Sequence, residues 1–429
     1  MSRHADARQP GQRPRRSNER GLALVLTLFV VALVSVLVLE YHFDATVELD
    51  LAANYANDVQ AYHLALDGVR FAQALLQRDN ARDDGVKDEW YKVQYLALLF
   101  GSDCISPQEL LDPALLSGLQ EAAAAGLEGS AGLERRAQEP RPQGCVRLLI
   151  SDEGGKLPVN ALLPRGNDEN AQPDPAWIRI FEAFFDSFQI ESDVVDALVD
   201  WIDADETPYR TGGAESTYYE RLPEPYKARN SPLSTAGELR LVKGLQDPET
   251  VAKFFPGVVP EASQYLDFGS NRYLTPFPFS GTEPTQAKVN INTAPEPVLQ
   301  ALFVGALQDG SRGTVDTAIE TILKKRLEGE QFQNVNEALQ GLTGAGLTAL
   351  RNIVDVKSNY FRVESEGRVG VVTKRIVAVL KRAPAAAAPV SPSGRQPAQP
   401  RQPAQPQQPA QAPTPAQPQQ TSLVYFKVE

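Results

Sequence analysis

Between Gly21 and Glu40 the chain carries eighteen residues without a charge, LALVLTLFVVALVSVLVL. As a helix rising about 1.5 Å per residue this run spans roughly 27 Å, close to the thickness of a bilayer core of about 30 Å. Arg3, Arg8, Arg13, Arg15, Arg16 and Arg20 all precede it. The positive-inside bias therefore keeps the N-terminus in the cytoplasm and sends everything after Glu40 across the membrane. A secretory signal peptide would have an apolar core of about 7–15 residues ending in a small-residue cleavage site. Here the apolar run is longer, and it passes without a turn signal into YHFDATVELDLAANYANDVQAYHLALDGVRFAQALLQRD. Leu49, Ala52, Ala56, Val59, His63, Leu66 and Phe71 recur in that continuation at helical steps. The spacing predicts one helix over residues 22–78, half in lipid and half as a stalk.

Charge and composition narrow the chemistry open to the rest of the chain. The net charge is −12, and the leader ahead of Leu22 is basic, so the remainder is more acidic still. That sign disfavours non-specific nucleic-acid binding, and no nucleic-acid partner is expected. Of three histidines, His4 lies in the leader and His42 and His63 on the long helix. A Ser-His-Asp or Cys-His catalytic centre is therefore not expected. Cys104 and Cys145 lack metal-ligand spacing. In an oxidising compartment they either form a disulfide, worth about 3–4 kcal/mol for a closed loop of about 42 residues, or remain two separate buried thiols.

The body between Arg78 and Arg382 is long enough for more than one domain. VRLLI reads as a strand ended by Asp-Glu-Gly-Gly turn chemistry, whereas WIRIFEAFFDSFQ and DVVDALVDWIDAD have helical periodicity. YFRVESEGRVGVVTKRIVAVLKR alternates, with turn material around Glu366, Gly367 and Gly370, and reads as a hairpin or meander. An internal repeat runs through the middle: Lys156–Asn160 (KLPVN) is answered by Lys288–Asn292 (KVNIN), DVVDALVDWID by TVDTAIETILKK, and STAGELRLVKGL by NVNEALQGLTG. The expectation is an α+β fold in which two related helical lobes (156–355) are inserted between early (79–155) and late (356–382) parts of one antiparallel sheet. Residues 383–420 are rich in Pro, Ala and Gln and should be disordered or extended. TSLVYFKVE (421–429) is β-prone and is expected to dock as a terminal strand beside YFRVESE or KRIVAVL.

A short basic leader ending in Gly21, followed by an apolar helix running unbroken into an amphipathic one, resembles the type IV pilin and pseudopilin family. The resemblance implies that a prepilin peptidase cuts between Gly21 and Leu22 and that the new amine of Leu22 is methylated. Members usually carry Glu at the fifth residue after the cut, satisfied by the terminal amine of the neighbouring subunit; this chain has Leu26. An unpaired carboxylate in an apolar bundle costs several kcal/mol, so a subunit with no neighbour ahead of it should lack the charge. Leu26 thus points to a tip subunit, a pattern that resembles the minor pseudopilin K family of type II secretion. DWIDADETPYRTGGAESTYY, YKARNSPLSTAGELRLVKG and VNINTAPEPVLQAL extend the resemblance across the body. It implies a helical domain inserted into a pilin-like sheet, an inner-membrane anchor with a periplasmic body, and minor pseudopilins I and J as partners. Leu26, Val59, Leu66 and Phe71 would pack against partner helices, and the assembly would initiate a pseudopilus that exports folded proteins. The alternative is a type IV pilus minor pilin with an adhesive or DNA-binding head.

Asp200, Asp203, Asp205 and Glu206 crowd the end of a predicted helix, where negative charge opposes the macrodipole. A hard cation with oxygen ligands would compensate them, and the pseudopilin K resemblance implies Ca²⁺ in this domain. Asp203, Asp205 and Thr207 imitate the alternating ligands of an EF-hand, but Pro208 replaces the turn glycine and Glu215 falls one place late. Asp203, Asp205 and Glu215 are the first candidates, with Asp200, Glu206 and Asn230 behind them. The competing reading is a solvated acidic loop paired with Arg210, Arg221 and Lys227. Asp203 and Glu215 also invite comparison with glycosidase carboxylates about 5–9 Å apart, yet a polar Gly-rich loop offers no apolar pocket to raise one pKa, and no enzyme is expected. VNINTAPEPVLQAL resembles the start of helix-hairpin-helix DNA-uptake modules, but ALFVGALQDGSRG lacks a Gly-rich phosphate nest. Asn290, Asn292 and Thr293 are read instead as satisfying backbone at a strand-to-helix corner, with Thr293 as helix N-cap.

Overall fold

The computed structural model describes residues 18–79, 82–93, 105–106, 144–164, 168, 171–247, 249–250, 253, 272–278, 287–307, 312–382 and 420–429. Most of the leader, the region of Cys104 and nearly all of the Pro/Gln-rich segment lie outside these. Helix α1 runs unbroken over Asn18–Arg78, 61 residues. It starts four residues before Leu22, because neither Asn18, Glu19 nor Arg20 obstructs helical backbone. Among the described residues it is the one helix long and apolar enough to cross a membrane. The chain forms two compact units, one ending at Val59 and one beginning at Gln60. In the first, Leu26 is 64 % exposed, and its apolar neighbours up to Leu39 are exposed as well.

In the second unit the elements follow as β1 (Gly144–Asp152), β2 (Leu157–Pro158), α2 (Pro175–Ser187), α3 (Asp193–Ile202), α4 (Ser216–Tyr219), β3 (Leu274–Thr275) and β4 (Val289–Asn290). Then come α5 (Glu296–Leu307), α6 (Arg312–Leu327), α7 (Val335–Ala338), α8 (Leu347–Ile353), β5 (Val354–Asp355), β6 (Tyr360–Val369), β7 (Val372–Arg382) and β8 (Thr421–Val428). Four strands make an antiparallel sheet in the order β1-β6-β7-β8. The chain's last strand therefore docks beside KRIVAVL, the second of its two expected neighbours. Ala61, Ala65, Ala72, Leu75 and Leu76 of α1 recur at helical spacing and are buried. All but Ala61 share one core with Leu148, Ile150, Phe361, Val363, Ile376, Ala378 and Leu380 of the sheet. Trp90 completes this core, its ring 5.0 Å from that of Phe361.

One expectation needs correction in this layer. Glu366 and Gly367 do not form the hairpin turn: they pair with Arg375 and Lys374, and the chain reverses at Gly370 (φ 59°) and Val371. Gly367 serves a different purpose. A Cβ there would collide with the Ala61 carbonyl oxygen and lie 2.7 Å from the Ala65 nitrogen, so the missing side chain lets α1 settle directly on β6. Leu66 and Phe71 are half-buried and pack in part against this chain's own core, whereas Val59 remains exposed.

The helical insertion leaves after β1 and returns at β6, and its two lobes share one hydrophobic core in which α2 meets α5. Each lobe is opened by a two-residue parallel pair, β2 with β3 and β4 with β5. The internal repeat is visible in hydrogen bonds. The Asn160 side chain accepts from Leu233 N (2.8 Å) and donates to Leu233 O (3.0 Å). Asn292 likewise accepts from Phe332 N (2.8 Å) and donates to Phe332 O (2.9 Å). Leu233 and Phe332 each stand two residues before a helix cap, Thr235 and Asn334. Asn290 and Asn292 thus satisfy buried backbone as expected, but Thr293 does not cap α5, which begins at Glu296. Its hydroxyl donates to Asp152 Oδ2 at 2.5 Å instead.

At the mouth of the insertion the end of β1 is pinned by buried polar groups. Asp152 Oδ2 also accepts from Ser358 Oγ (2.5 Å) and Asn290 Nδ2 (3.2 Å), and its Oδ1 from Gly154 N (2.6 Å). Glu153 accepts from Lys156 Nζ (2.6 Å), Arg362 Nε (2.8 Å) and Thr275 Oγ1 (2.5 Å). Burial alone would raise the Glu153 pKa, but Lys156 and Arg362 hold it at about 2. Gly367→Ala is expected to cost about 1–3 kcal/mol by forcing α1 off the sheet, read as a lower urea midpoint with an unchanged m-value.

Candidate metal centre

Helix α3 buries nine of its residues, from Val194 to Ile202, and delivers Asp200 into the interior one turn before its end. The chain then turns extended at Asp203, the C-cap (ψ 175°), and returns over α3 through Gly212 and Gly213 to Glu215, which precedes α4. Asp200, Asp203 and Glu215 are 0 %, 8 % and 2 % exposed. One carboxylate oxygen of each lies within 4.8 Å of the others. A Cβ on Gly213 would collide with Asp200 Oδ2, so a glycine is required where the chain crosses the carboxylate. The Gly-Gly pair was the sequence signal for this crossing.

Asp200 Oδ1 accepts from Tyr209 N at 2.8 Å. The remaining inward oxygens have no hydrogen-bond partner: Asp200 Oδ2, Asp203 Oδ1, both oxygens of Glu215, and Asn230 Oδ1. Asn230 is held in a left-handed conformation (φ 47°) while its amide donates to Asp205 O (2.7 Å) and Glu206 Oε1 (3.1 Å). Glu206 also accepts from Ser216 Oγ at 2.9 Å, and Asp205 Oδ1 accepts from Thr207 N at 2.7 Å. Of the six candidates, the structure therefore gathers Asp200, Asp203 and Glu215, with Asn230 presenting an unpaired oxygen. Asp205 and Glu206 shape the loop and fix Asn230 and Ser216. Asp200, placed behind Asp203, Asp205 and Glu215 among the candidates, is the most buried of the set.

The middle of the loop, Glu206–Pro208 with Arg210 and Thr211, is exposed, but its ends at Asp203 and Glu215 are enclosed. Trp201, Tyr219 and Tyr226 pack together beside it, with ring centroids 5.1 Å apart for Trp201–Tyr219 and 5.2 Å for the stacked Tyr219–Tyr226 pair. Burial, followed by the mutual repulsion of the acids, pushes Asp200 to about 6, Asp203 to about 7 and Glu215 to about 9. Nearby cations do not relieve them. Arg210 pairs with Glu182 (3.0 Å) and Asp196 (3.5 Å), and Lys227 with Glu220 (3.7 Å). Among the described residues no ion pair joins Arg210, Arg221 or Lys227 to the three acids.

Five buried oxygens without donors, drawn from three carboxylates and one amide, fit a hard divalent cation. Ca²⁺ takes six to eight oxygen ligands in flexible geometry, and nitrogen or sulfur ligands for a softer metal are not part of the cluster. A glycosidase pair, by contrast, must flank a cleft that admits a sugar, and all three acids here are enclosed. Away from this centre, Gly21 and Leu22 lie exposed within α1, with no heavy atom within 4 Å of a Cβ built on Gly21. Cys145 is disulfide-bonded, and Cys104, the chain's one other cysteine, is outside the described residues.

Two family models described as type II secretion system (T2SS), protein K match residues 155–259 and 289–357, one on each lobe of the insertion. Type II secretion system protein K of Pseudomonas aeruginosa is 26 % identical over 371 residues, covering 86 % of this chain and 90 % of the relative. The protein of the same name from Dickeya chrysanthemi is 22 % identical over 372 residues, covering 82 % and 90 %. The crystal structure of the GspK-GspI-GspJ complex from the enterotoxigenic Escherichia coli type 2 secretion system includes a chain 16 % identical, with a TM-score of 0.49 and coverage of 90 % of this chain and 99 % of that one.

The raised pKa values give the apo protein a particular pH dependence. Between the ordinary carboxylate range and the folded values of about 6, 7 and 9, the native state holds protons that the unfolded chain has released. Stability therefore falls as pH rises through that window. In EDTA the melting temperature is expected to be higher at pH 5 than at pH 8, checked by differential scanning fluorimetry across the series.

Proposed function

Because the chain belongs to the type II secretion system protein K family and is a minor pseudopilin, we propose that it caps the pseudopilus tip and initiates its assembly. The observation that carries this reading is Leu26 in place of the usual carboxylate five residues after Gly21. A subunit inside the fibre needs that charge to meet the amine of the subunit ahead; the first subunit has nothing to meet and would bury an unpaired charge in an apolar bundle. The exposed apolar face of α1 from Leu22 to Leu39 supports packing in a membrane and then against other helices. Minor pseudopilins I and J are the proposed partners, as membership of the family implies. The role requires no catalytic step: the chain positions itself at the end of a filament, and the inserted helical domain makes that end too bulky for another subunit to follow.

Calcium is the second part of the proposal. Asp200, Asp203, Glu215 and Asn230 would hold the ion, with Asp205 and Glu206 arranging the loop around them. Bound Ca²⁺ would supply the positive charge that three enclosed carboxylates lack. The loop of residues 203–215 would then be fixed on α3, giving the insertion the rigidity expected of a cap.

Isothermal titration with Ca²⁺ is expected to show saturable uptake by the wild-type chain. Glu215→Gln should abolish it while raising the melting temperature of the apo form by a few degrees near neutral pH, since a glutamine has no proton to take up on folding where Glu215 is held at about 9. Loss of apo stability in that variant, or no uptake by the wild type, overturns the calcium reading. For the tip role, mass spectrometry of membrane-extracted protein is expected to find methylated Leu22 as the first residue. Deletion of the gene should abolish exoprotein secretion and leave twitching and transformation intact; the reverse phenotype would favour a type IV pilus subunit.

A further inference from the structure

At the seam between the insertion and the sheet lies a cavity of about 280 Å³ that belongs to neither the metal centre nor α1. One wall is aromatic: the Phe277 ring stacks on Tyr360 with centroids 5.2 Å apart. The rim is cationic, with Lys288, Lys357 and Lys381 all exposed, and Arg382, which is 2 % exposed, also lines it. Such a concentration of positive charge stands out in a chain of net charge −12.

Most of the opposing charge at this site is already committed. Glu153 is saturated by Lys156, Arg362 and Thr275, and Asp355 accepts from Lys288 (3.3 Å) and from the Val356 N–H (2.8 Å). Arg382 gives its two terminal nitrogens to Asp84 and Asp79, each at 2.8 Å, and its Nε–H has no acceptor. Among the described residues Lys357 and Lys381 form no ion pair; Lys381 Nζ lies 5.5 Å from the centroid of the Tyr360 ring. Two lysine charges are therefore left around an aromatic wall.

We propose that this cavity binds an acidic peptide segment of a partner protein. Its volume is at the lower end of ligand pockets, which run from about 300 Å³, and suits one or two side chains presented by a larger molecule. A glutamate fits both halves of the site: its methylenes lie on Phe277 and Tyr360, and its carboxylate reaches Lys357 and Lys381. A lone phosphate would engage the lysines and leave the aromatic wall uncovered. The guanidinium fork of Arg382, which would favour phosphate, is occupied by Asp79 and Asp84. The proposal does not depend on the tip role or on calcium.

The test is fluorescence anisotropy of a fluorescein-labelled hexaglutamate peptide titrated with the detergent-solubilised full chain at about 0.15 M ionic strength. Saturable binding with Kd below about 1 mM is expected, weakened at least tenfold in the Lys357→Gln/Lys381→Gln variant. A Lys227→Gln/Lys324→Gln variant removes the same charge from residues outside the cavity and should bind like the wild type. Unlabelled peptide should compete, and equimolar inorganic phosphate should not. No saturable binding, equal loss in both double variants, unchanged affinity in Lys357→Gln/Lys381→Gln, or equal competition by phosphate would each overturn the proposal.

Discussion

The buried carboxylates at the end of β1 are what the architecture hangs on. Asp152 is paired opposite Phe361, so a helical domain of about two hundred residues must begin and end across one strand spacing. Closing so long a loop costs entropy that grows only slowly with length, but the two ends must still be held. Asp152 holds the first strand end to Ser358, just before β6, and to Asn290 and Thr293 in the second lobe; Glu153 reaches β6 through Arg362 and the first lobe through Thr275. Each acid is buried and surrounded by donors; the cations beside Glu153 more than offset its burial, whereas the neutral donors around Asp152 offset only part of it and burial still raises its pKa. Neither lobe can shift on the sheet without stripping one of these oxygens.

The acidic centre works by the opposite rule. Its carboxylates are equally enclosed, but the donors that saturate Asp152 and Glu153 are missing, and Asp200 and Asp203 sit at the C-terminal end of α3, where the helix field adds to their repulsion. The surrounding fold over-determines the arrangement: α3 is buried along nearly its whole length, Gly213 crosses directly over Asp200, and the aromatic stack of Tyr219 and Tyr226 closes the side. A cluster this strained is stable only as part of a larger rigid body.

Much of the scaffold was legible in the residues. The unbroken α1, the strand VRLLI, the last strand and the doubling of the two lobes follow from periodicity and from repeated short strings, and these are local properties. What was not legible depended on three-dimensional approach. Gly367 looks like turn chemistry in a line of text, yet its purpose is the passage of α1 over β6. Thr293 sits where an N-cap is common, but the acceptor that claims its hydroxyl is Asp152, far back in the chain. Leu66 and Phe71 lie on a helix face whose partner could not be known before the sheet was placed. For the acidic loop, the residue types were sufficient to suggest an oxygen-rich site, but alternation along the chain favoured Asp205, whereas the helical turn of α3 brings Asp200 inward instead.

The placement of β8 has a consequence for the order in which the molecule can be completed. The core that joins the two lobes is built from the stretch after β1 and before β6, so the insertion is fully available for folding while the sheet still consists of a single strand. β1 is made long before its neighbour exists, and the outer edge of the sheet waits for the final residues of the chain, which lie beyond the proline-rich segment. During synthesis the edge of β1 that pairs with β6 remains open for most of that time, the situation that exposes strand edges to wrong pairings. The strand at the sheet's edge, β8, can pair with β7 only after the proline-rich segment that precedes it has been made.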